Sequence, residues 1–383
     1  MFEKRFLKRL EIQKQDGLYR NPPEIKRRDG RYIVSGSRKL LNFSSNDYLG
    51  LSTSAEFSEK IADNFRKYGT SSGSSRLVSG NYSAIRQAEE RYAKHFGYED
   101  CLFFSSGYQA NIGIISTFFE PGDRLIFDKH IHASSVKGIQ LSGADYKGYN
   151  HSSLSHLEKR LQTVENRQAA VITESLFSMD GDLLNVKDLA GLKEKYGFLS
   201  IVDEAHAFGA LGKNGCGVAG KVADVAIGTF GKAFGFFGAF VLLPRSFKEF
   251  LLNFSSPVIY STALPPAHAV SAVDLLELVS GSDEKRERLA KISILMKKQL
   301  LEKRFRVKGD AHILGVEIGD ENMAVALSRK LYRKGIFVFS ARYPTVPMGS
   351  ALLRISMTAM HTEKDVAYFV ETLTREKQRI AYG

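Results

Sequence analysis

A single lysine set among glycines is the clearest candidate for a reactive side chain in this sequence. Lys232 lies in the segment Gly228–Gly235, which has a glycine on either side of the lysine. Because glycine has no side chain, a flat group could approach the amine closely there, and the amine could attack its carbonyl carbon. About a strand and a turn earlier, Asp203 could pair its carboxylate with a protonated ring nitrogen. Together the two residues predict a site for a covalently held heteroaromatic cofactor.

Each residue also has a simpler interpretation. A lysine in a glycine-rich loop is ordinarily a solvated turn residue, because glycine is a common turn former. The Asp-Glu-Ala-His segment at 203–206 could be the end of a strand followed by the cap of a helix. These two residues alone leave both interpretations open.

The composition indicates a globular protein with more than one domain. The chain has 383 residues, of which 43% are hydrophobic and 25% are charged, and these values are ordinary for soluble globular proteins. Every hydrophobic segment is shorter than the ~20 apolar residues of a spanning helix. Phe2, Phe6 and Leu10 fall on one face of a predicted N-terminal helix, which lacks the apolar core of a signal peptide. We expect this helix to pack on the body of the protein.

The cysteine content and the net charge limit which cellular compartment and which partners we expect. Cys101 and Cys216 are too few for a disulfide framework and show no metal-ligand spacing with the nine histidines. We therefore expect no metal and a reducing, cytoplasmic location. The net charge is +12, but dispersed basic residues favour attraction of polyanionic small molecules over nucleic-acid binding.

Short apolar segments alternate with helix-like stretches between residues 100 and 245. Such a pattern predicts an α/β domain with a mostly parallel sheet buried on both faces. The predicted strands are 101–104, 124–127, 169–172, 199–202, 225–227 and 239–243. Ligands of such sheets bind beyond the carboxyl ends of the strands. The polar residues that follow the predicted strands, and should line one crevice, are Ser105, Ser106, Asp128, Glu174, Asp203 and Thr229.

The last part of the chain has a different pattern of apolar segments. After residue 312 a strand, a helix and two more strands predict a smaller α+β domain. We predict an N-terminal helix and arm at 1–45, a large α/β domain at 46–280 and a small C-terminal domain at 281–383. The Gly-Ser-Asp-Glu segment at 281–284 is the best candidate for a linker.

The ordered motifs resemble those of the α-oxoamine synthase family, within the fold-type I pyridoxal-phosphate enzymes. The resemblance runs from Asn42–Leu51 to Leu353–Ser356 and covers most of the chain. It implies pyridoxal 5′-phosphate as the cofactor, a homodimer with shared active sites, and condensation of an amino acid with an acyl thioester. The chain is most similar to the branch that joins L-alanine to a pimeloyl thioester of coenzyme A or acyl carrier protein in biotin biosynthesis. Nucleic acid and membrane are not among the implied partners.

The same resemblance implies the catalytic residues. Lys232 would hold the cofactor and later accept the α-proton of the amino acid. Asp203 would pair with the ring nitrogen, His132 would stack on the ring, and His206 would hydrogen-bond the phenolic oxygen. His130 lies two residues before His132, and only the resemblance separates the two histidines.

Further cofactor contacts are implied around the phosphate. The segment from Ser106 opens a helix, and the N-terminus of a helix favours an anion. The segment 260–266 resembles the one that reaches the partner subunit's phosphate, although its two prolines could simply make a stiff turn. The predicted cofactor-binding residues are Ser106, Gly107, Tyr108, His132, Ser178, Asp203, His206, Thr229, Lys232, Ser261 and Thr262.

Arginine and asparagine side chains are implied for the substrates. Arg354 would anchor the alanine carboxylate with its planar fork, with Asn46 beside it. A pimeloyl chain ends in a second carboxylate, which needs a cation or water. Arg20 and Arg76 are the candidates for this cation, although either could be an ordinary solvated arginine.

Some departures from the family pattern leave the acyl donor open. Phe234, Phe236 and Phe237 are bulkier than the residues common after the family's lysine, and Asp203 and Glu204 stand where this branch often has two aspartates. The alternatives within the family are 2-amino-3-ketobutyrate coenzyme A ligase, 5-aminolevulinate synthase and serine palmitoyltransferase. Outside the enzymes, a basic nucleic-acid-binding scaffold or a cofactor-free descendant of the fold is the alternative.

Overall fold

The computed structural model describes residues 2–16, 18–164 and 169–381. The chain forms two compact units. The larger unit comprises Asn46–Ser178 and Asp182–Leu289, and the smaller comprises Met1–Ser45, Met179–Gly181 and Ala290–Gly383. The division after Leu289 falls inside a helix rather than at the predicted linker. The domain bounds given by the sequence stay a prediction.

Helices and strands alternate along most of the described chain. The helices are α1 (Phe2–Gln15), α2 (Ala55–Tyr68), α3 (Ser83–Phe96), α4 (Gly107–Phe118), α5 (Ala133–Ser142), α6 (Leu154–Leu161), α7 (Val186–Tyr196), α8 (Arg245–Phe254), α9 (Ser256–Ile259), α10 (Pro266–Ser280), α11 (Asp283–Glu302), α12 (Glu321–Arg333) and α13 (Glu363–Ala381). The strands are β1 (Arg27–Asp29), β2 (Tyr32–Ser35), β3 (Arg38–Asn42), β4 (Asp100–Phe104), β5 (Arg124–Asp128), β6 (Asp145–Tyr149), β7 (Ala169–Glu174), β8 (Leu199–Asp203), β9 (Val225–Thr229), β10 (Ala239–Leu243), β11 (Val307–Lys308), β12 (Ile313–Gly319), β13 (Ile336–Phe337), β14 (Phe339–Ala341) and β15 (Ala351–Ser356).

The larger unit is built on one mixed sheet. Its strand order, within the described residues, is β4-β10-β9-β8-β7-β5-β6. β10 runs antiparallel to both β4 and β9, and the remaining pairs are parallel. Because β10 is reversed between them, β4 runs in the same direction as β9. The predicted α/β fold with a mostly parallel sheet is confirmed.

Apolar side chains cover both faces of this sheet. On one face Ile114 and Ile139, from α4 and α5, belong to the same buried cluster as Val241. A second cluster joins Leu157 of α6 and Leu189 of α7 to strand residues such as Val171. Burial of each such side chain contributes about 1.5–3 kcal/mol, so the sheet is a rigid base for the loops that follow its strands.

The edge strand β6 was not predicted from the sequence. Its residues read Asp-Tyr-Lys-Gly-Tyr and are mostly exposed. An edge strand in contact with solvent needs no run of apolar residues, so the pattern that indicated the other strands of this sheet is absent here.

The smaller unit contains two four-stranded sheets, with the orders β1-β2-β3-β13 and β11-β12-β15-β14. The first and last of the strands predicted after residue 312 are β12 and β15 of the second sheet, whereas the middle one, at 336–339, is divided between β13 of the first sheet and β14 of the second. Helix α12 is the predicted helix. Strands β1 to β3 were not predicted, although Asp29-Gly30 at the β1–β2 turn is a common hairpin signal. Gly30 has a φ of +57° there, which glycine adopts without strain.

Helix α1 forms as predicted, but none of its residues is buried against the other described residues. All of its residues are exposed, including Phe2 at 69% and Leu7 at 58%. The expected docking is therefore wrong. Charged residues interrupt the apolar stripe, which is too narrow to bury much surface. Among the described residues, no helix is long and apolar enough to cross a membrane.

Candidate active site

The predicted site residues of the larger unit follow strands that end at the same edge of the sheet. β4, β5, β7, β8 and β9 share one direction, so their carboxyl ends lie together. The register places Glu174 beside Asp203, and Asp203 beside Ile227 of β9. The loops that begin at this edge carry Ser106, His132, Ser178, His206 and Lys232.

Asp203 is held by two hydrogen-bond donors. Asn111 Nδ2 of α4 donates to one carboxylate oxygen at 2.9 Å, and the backbone N–H of Ala205 donates to the other at 2.9 Å. The two hydrogen bonds fix the orientation of the carboxyl group. The sequence analysis missed the role of Asn111, although this residue stands in the motif that opens α4. The other amide atom, Asn111 Oδ1, is buried and has no partner among the described residues.

His206 belongs to a short chain of polar side chains. Its Nδ1 lies 2.6 Å from the hydroxyl of Tyr48, and this hydroxyl lies 3.2 Å from Asn46 Oδ1. Tyr48 is fully buried, so its hydroxyl depends on these partners. Tyr48 was not predicted as a site residue, because a tyrosine in an Asn-Asp-Tyr-Leu-Gly turn is also an ordinary core residue.

His132 and His130 have different surroundings. His132 caps α5: its Nδ1 accepts from the backbone N–H of Ser134 at 3.3 Å. Desolvation lowers the pKa of His132, Asp203 opposes this effect, and Lys232 adds to it. The ring of His130 instead stacks on His151, with centroids 4.0 Å apart.

Lys232 lies in the turn between β9 and β10. The turn is fixed by a hydrogen bond from Thr229 Oγ1 to the carbonyl of Gly238 and by one from the N–H of Gly235 to the carbonyl of Lys232. Gly235 has a φ of +66°, and a Cβ atom there would lie 2.4 Å from the backbone nitrogen of Ser52. The turn therefore requires glycine at this position. Lys232 is half-buried and interacts electrostatically with His132 and Glu174.

The predicted phosphate contacts surround the start of α4. Ser106 caps the helix, with its hydroxyl accepting from the N–H of Gln109 at 3.2 Å. A Cβ atom on Gly107 would lie 3.9 Å from Cβ of Thr229, so these two predicted residues are neighbours. Gln109 also donates to Ser261 Oγ at 2.9 Å. Ser261 therefore lies near the first turn of α4 of its own chain.

The three other predicted cofactor contacts have different surroundings. Tyr108 is 49% exposed and its ring meets His132 edge-on. Thr262 is exposed and forms a β-bridge to Ser75. Ser178 is half-buried in the loop after β7.

Arg76 is bound to an acidic partner. Its guanidinium contacts both carboxylate oxygens of Glu89, at 2.5 and 3.1 Å, and also donates to Asn81 Oδ1. Glu89 is completely buried and also meets Lys248 at 3.0 Å. Arg76 is thus part of a buried ion-pair network, and a substrate carboxylate would have to displace one of these contacts.

Two predicted arginines belong to the smaller unit and are described there alone. Arg354 lies in β15, is 6% exposed and donates to Ser356 Oγ at 2.5 Å. Arg20 is exposed after α1.

One histidine joins two of the loops at the sheet edge. The two ring nitrogens of His151 lie 3.0 Å from Asp128 Oδ1 and 3.0 Å from Asp182 Oδ2. Asp128 ends β5 and accepts from the N–H of His130, in the loop that leads to His132. Asp182 accepts through its carbonyl from the N–H of Phe177, next to Ser178. His151 therefore ties together the loops of two predicted cofactor contacts.

Comparison with known proteins places these features in a family. Residues 38–373 match the family described as aminotransferase class I and II. A protein of Acetivibrio thermocellus, named provisionally as an 8-amino-7-oxononanoate synthase, is 38% identical over 368 residues, covering 94% of this chain and 95% of its own length.

Solved structures show the same architecture. Serine palmitoyltransferase of Sphingomonas wittichii superposes with a TM-score of 0.91 at 27% identity, covering 100% of this chain and 98% of its own. 8-Amino-7-oxononanoate synthase of Francisella tularensis superposes with a TM-score of 0.78 at 32% identity, covering 89% of this chain and 99% of its own.

Proposed function

The chain belongs to the aminotransferase class I and II family, and from this premise we propose that it condenses L-alanine with a pimeloyl thioester. The products are 8-amino-7-oxononanoate, carbon dioxide and a free thiol. At the coarser level the protein is an α-oxoamine synthase, an acyltransferase that depends on pyridoxal 5′-phosphate. The observation that carries the proposal is the meeting of Lys232, Asp203 and His132 at one edge of the sheet.

The residues at this edge fit the cofactor. The start of α4 offers backbone N–H groups to a phosphate, and Gly107 and Thr229 are neighbours there. Asp203 offers its carboxyl group to a ring nitrogen. Two buried polar atoms, Asn111 Oδ1 and Glu174 Oε1, have no partner among the described residues, as expected where a polar group is to bind.

Each catalytic residue has a defined task in the proposal. Pyridoxal phosphate, when bound, supplies the electron sink that stabilises the carbanion of the amino acid. Lys232 Nζ holds the cofactor and afterwards accepts the α-proton of alanine. Asn111 and Ala205 keep Asp203 oriented, and Tyr48 orients His206. His132 offers its ring face for stacking.

The substrate contacts rest on the family resemblance. Arg354 is the proposed anchor of the amino-acid carboxylate, and Asn46 is a second proposed contact. For the distal carboxylate of the pimeloyl chain, Arg20 and Arg76 stay the candidates. The exposed guanidinium of Arg20 would require less rearrangement than that of Arg76, which holds Glu89.

We also propose a homodimer with shared active sites in a reducing, cytoplasmic compartment. Exposed apolar residues lie in the two segments that the β-bridge between Ser75 and Thr262 joins: Leu77 is 65% exposed, Val78 80% and Tyr260 82%. Exposed apolar groups of this kind favour burial against another protein surface. Cys101 and Cys216 are both free thiols, which supports the proposed compartment.

Product analysis with a panel of substrates tests the function. The purified protein, supplied with cofactor, is assayed with alanine, glycine and serine against pimeloyl and acetyl thioesters, and products are identified by mass spectrometry. We expect the alanine and pimeloyl pair to react fastest and Lys232→Ala to form no product. Preference for glycine with acetyl thioester, or for serine, would assign the chain to another α-oxoamine synthase.

A further inference from the structure

Glu174 is a buried carboxyl at the predicted active site to which the proposed mechanism gives no task. It is the last residue of β7 and lies beside Asp203 in the register of β7 and β8. Its exposure is 3%. Two carboxyl groups therefore end neighbouring strands at the same edge of the sheet.

The two oxygens of Glu174 have different surroundings. The carboxyl is hydrogen-bonded to the backbone of His132 and of Ser178, in the loops after β5 and β7. Its Oε1 atom is buried and has no hydrogen-bond partner among the described residues. Glu174 therefore joins two loops that carry predicted cofactor contacts, and still has one oxygen available.

The surroundings of the two carboxyls decide which one is charged. Glu174 is buried and ends its strand beside Asp203, and two neighbouring carboxylates repel each other, so one of them keeps its proton at a higher pH than usual. Asp203 accepts hydrogen bonds from Asn111 and Ala205 through its two carboxylate oxygens, whereas Glu174 Oε1 has no partner among the described residues. Burial raises the pKa of Glu174 to about 8, the charge of Asp203 adds to this, and Lys232 opposes it.

The neighbouring carboxyl of Glu204 has a separate set of partners. It accepts from Ser175 Oγ at 2.6 Å and from the N–H groups of Val218 and Ala219. Burial nevertheless raises the pKa of Glu204 to about 7. The ionisable groups that act on Glu174 itself are Asp203 and Lys232, and His132 meets it through its backbone.

We propose that Glu174 is an uncharged carboxylic acid at neutral pH and a positioning residue of the site. It holds the loops of His132 and Ser178, and its proton leaves the negative charge of the pair on Asp203 alone. This claim concerns the protein without its cofactor and does not depend on which substrates it uses.

A consequence for Lys232 rests on the proposed function. A second carboxylate near Lys232 would stabilise its ammonium form and make the amine a weaker base. Ionisation of Glu174 should therefore reduce activity on the alkaline side. A permanently neutral side chain of the same shape, as in Glu174→Gln, should remove that reduction.

Infrared spectroscopy of the cofactor-free protein tests the protonation state. At a pH of about 6, an ordinary glutamate is ionised, so the carbonyl stretch of a carboxylic acid reports a perturbed group. We expect such a band in the wild type and the loss of one of its components in Glu174→Gln. In the wild type, that component should disappear when the pH is raised through 8. The matched control Glu194→Gln changes an exposed glutamate and should leave the band intact.

Two outcomes would overturn the proposal. One is a wild-type spectrum with no carboxylic-acid band at that pH, a result that does not depend on whether the variant folds. The other is an identical band in wild type and in folded Glu174→Gln.

The pH profile of kcat/KM is a second readout. Loss of the wild-type alkaline decline in Glu174→Gln supports the positioning role, and an unchanged decline contradicts it. If the substrate panel shows no activity, the infrared result still decides the state of Glu174.

Discussion

At the scale of single residues, Tyr48 shows how a fully buried side chain can orient a predicted site residue, His206. Its hydroxyl lies within hydrogen-bonding distance of His206 Nδ1 and also contacts Asn46 Oδ1. Tyr48→Phe keeps the ring in the core and removes only this hydroxyl. Leaving a buried polar partner unsatisfied costs about 1–3 kcal/mol, so we expect kcat/KM to fall about tenfold while the fold is retained.

Steady-state kinetics with circular dichroism as the check on folding measure this effect. Tyr68→Phe is the matched control, because Tyr68 lies at the exposed end of α2. Unchanged kinetics in Tyr48→Phe would show that His206 needs no support from Tyr48.

Residue types pointed to Lys232 and Asp203, and the family resemblance added His132 and His206. The roles of these four stay predictions, and neither source indicated the residues that hold them. Lys232 stands out because its glycines are unusual around a charged residue. Asn111 and Glu174 do not stand out, because their importance comes from Asp203, which the register brings to them from another strand. Asp203 lies 92 positions from Asn111 and 29 from Glu174, and contacts over such separations leave no local pattern in a single sequence.

At the scale of elements, His151 joins the loops after β5 and β7 through Asp128 and Asp182. We expect His151→Ala to loosen both loops, because Asp128 is 1% exposed and would lose its side-chain partner. The loss should be about 1–3 kcal/mol in the free energy of unfolding. Hydrogen exchange of the peptide covering 128–135 should become faster.

Lys137→Ala, an exposed change on α5, serves as the control for the exchange experiment. Equal exchange in wild type and His151→Ala would mean that the two loops are held by other contacts.

The elements that were predicted and those that were missed differ in burial. β7 and β10 are buried along their whole length, so their apolar runs are visible in the sequence. β6 is an edge strand of mostly exposed residues and β1 is a short edge strand with no fully buried residue, and both lack such runs. The N-terminal helix was recognised from its spacing, but spacing does not say what a helix packs against.

At the scale of the whole molecule, two buried histidines make the fold sensitive to acid. Burial lowers the pKa of His268 and of His361 to about 4. The N–H of Thr358 donates to His361 Nδ1 at 3.0 Å, so the other nitrogen carries the proton toward the carbonyl of Asn42. In the unfolded chain both histidines take a proton near pH 6.5. The unfolded state therefore binds more protons between these values, and stability falls as the pH drops from 6.5 toward 4.

His361→Phe isolates one of these contributions. The wild type should be the more stable at pH 7, and its advantage should shrink by about 2 kcal/mol by pH 5. Denaturant unfolding at the two values measures the difference. An advantage that does not change with pH would show that His361 takes up no proton on unfolding.

The proposed sharing of active sites is also a property of the whole assembly. Lys232→Ala removes the reactive amine, and the double variant Ser261→Ala/Thr262→Ala removes the proposed contacts to the partner's phosphate. Mixing the two inactive proteins should restore activity through hybrid dimers, because each hybrid contains one intact site. Ser261 also meets Gln109 of its own chain, so failure to recover activity despite subunit exchange would mean that each subunit builds its own site.

The most direct test of the central claim is to find where the cofactor attaches. The wild-type protein is loaded with pyridoxal 5′-phosphate, reduced with borohydride, digested, and mapped by mass spectrometry. We predict that the cofactor is fixed on Lys232 and that Lys232→Ala yields no modified peptide at this turn. Attachment at a different lysine, or no attachment in the wild type, would contradict the assignment of the turn between β9 and β10 as the catalytic centre.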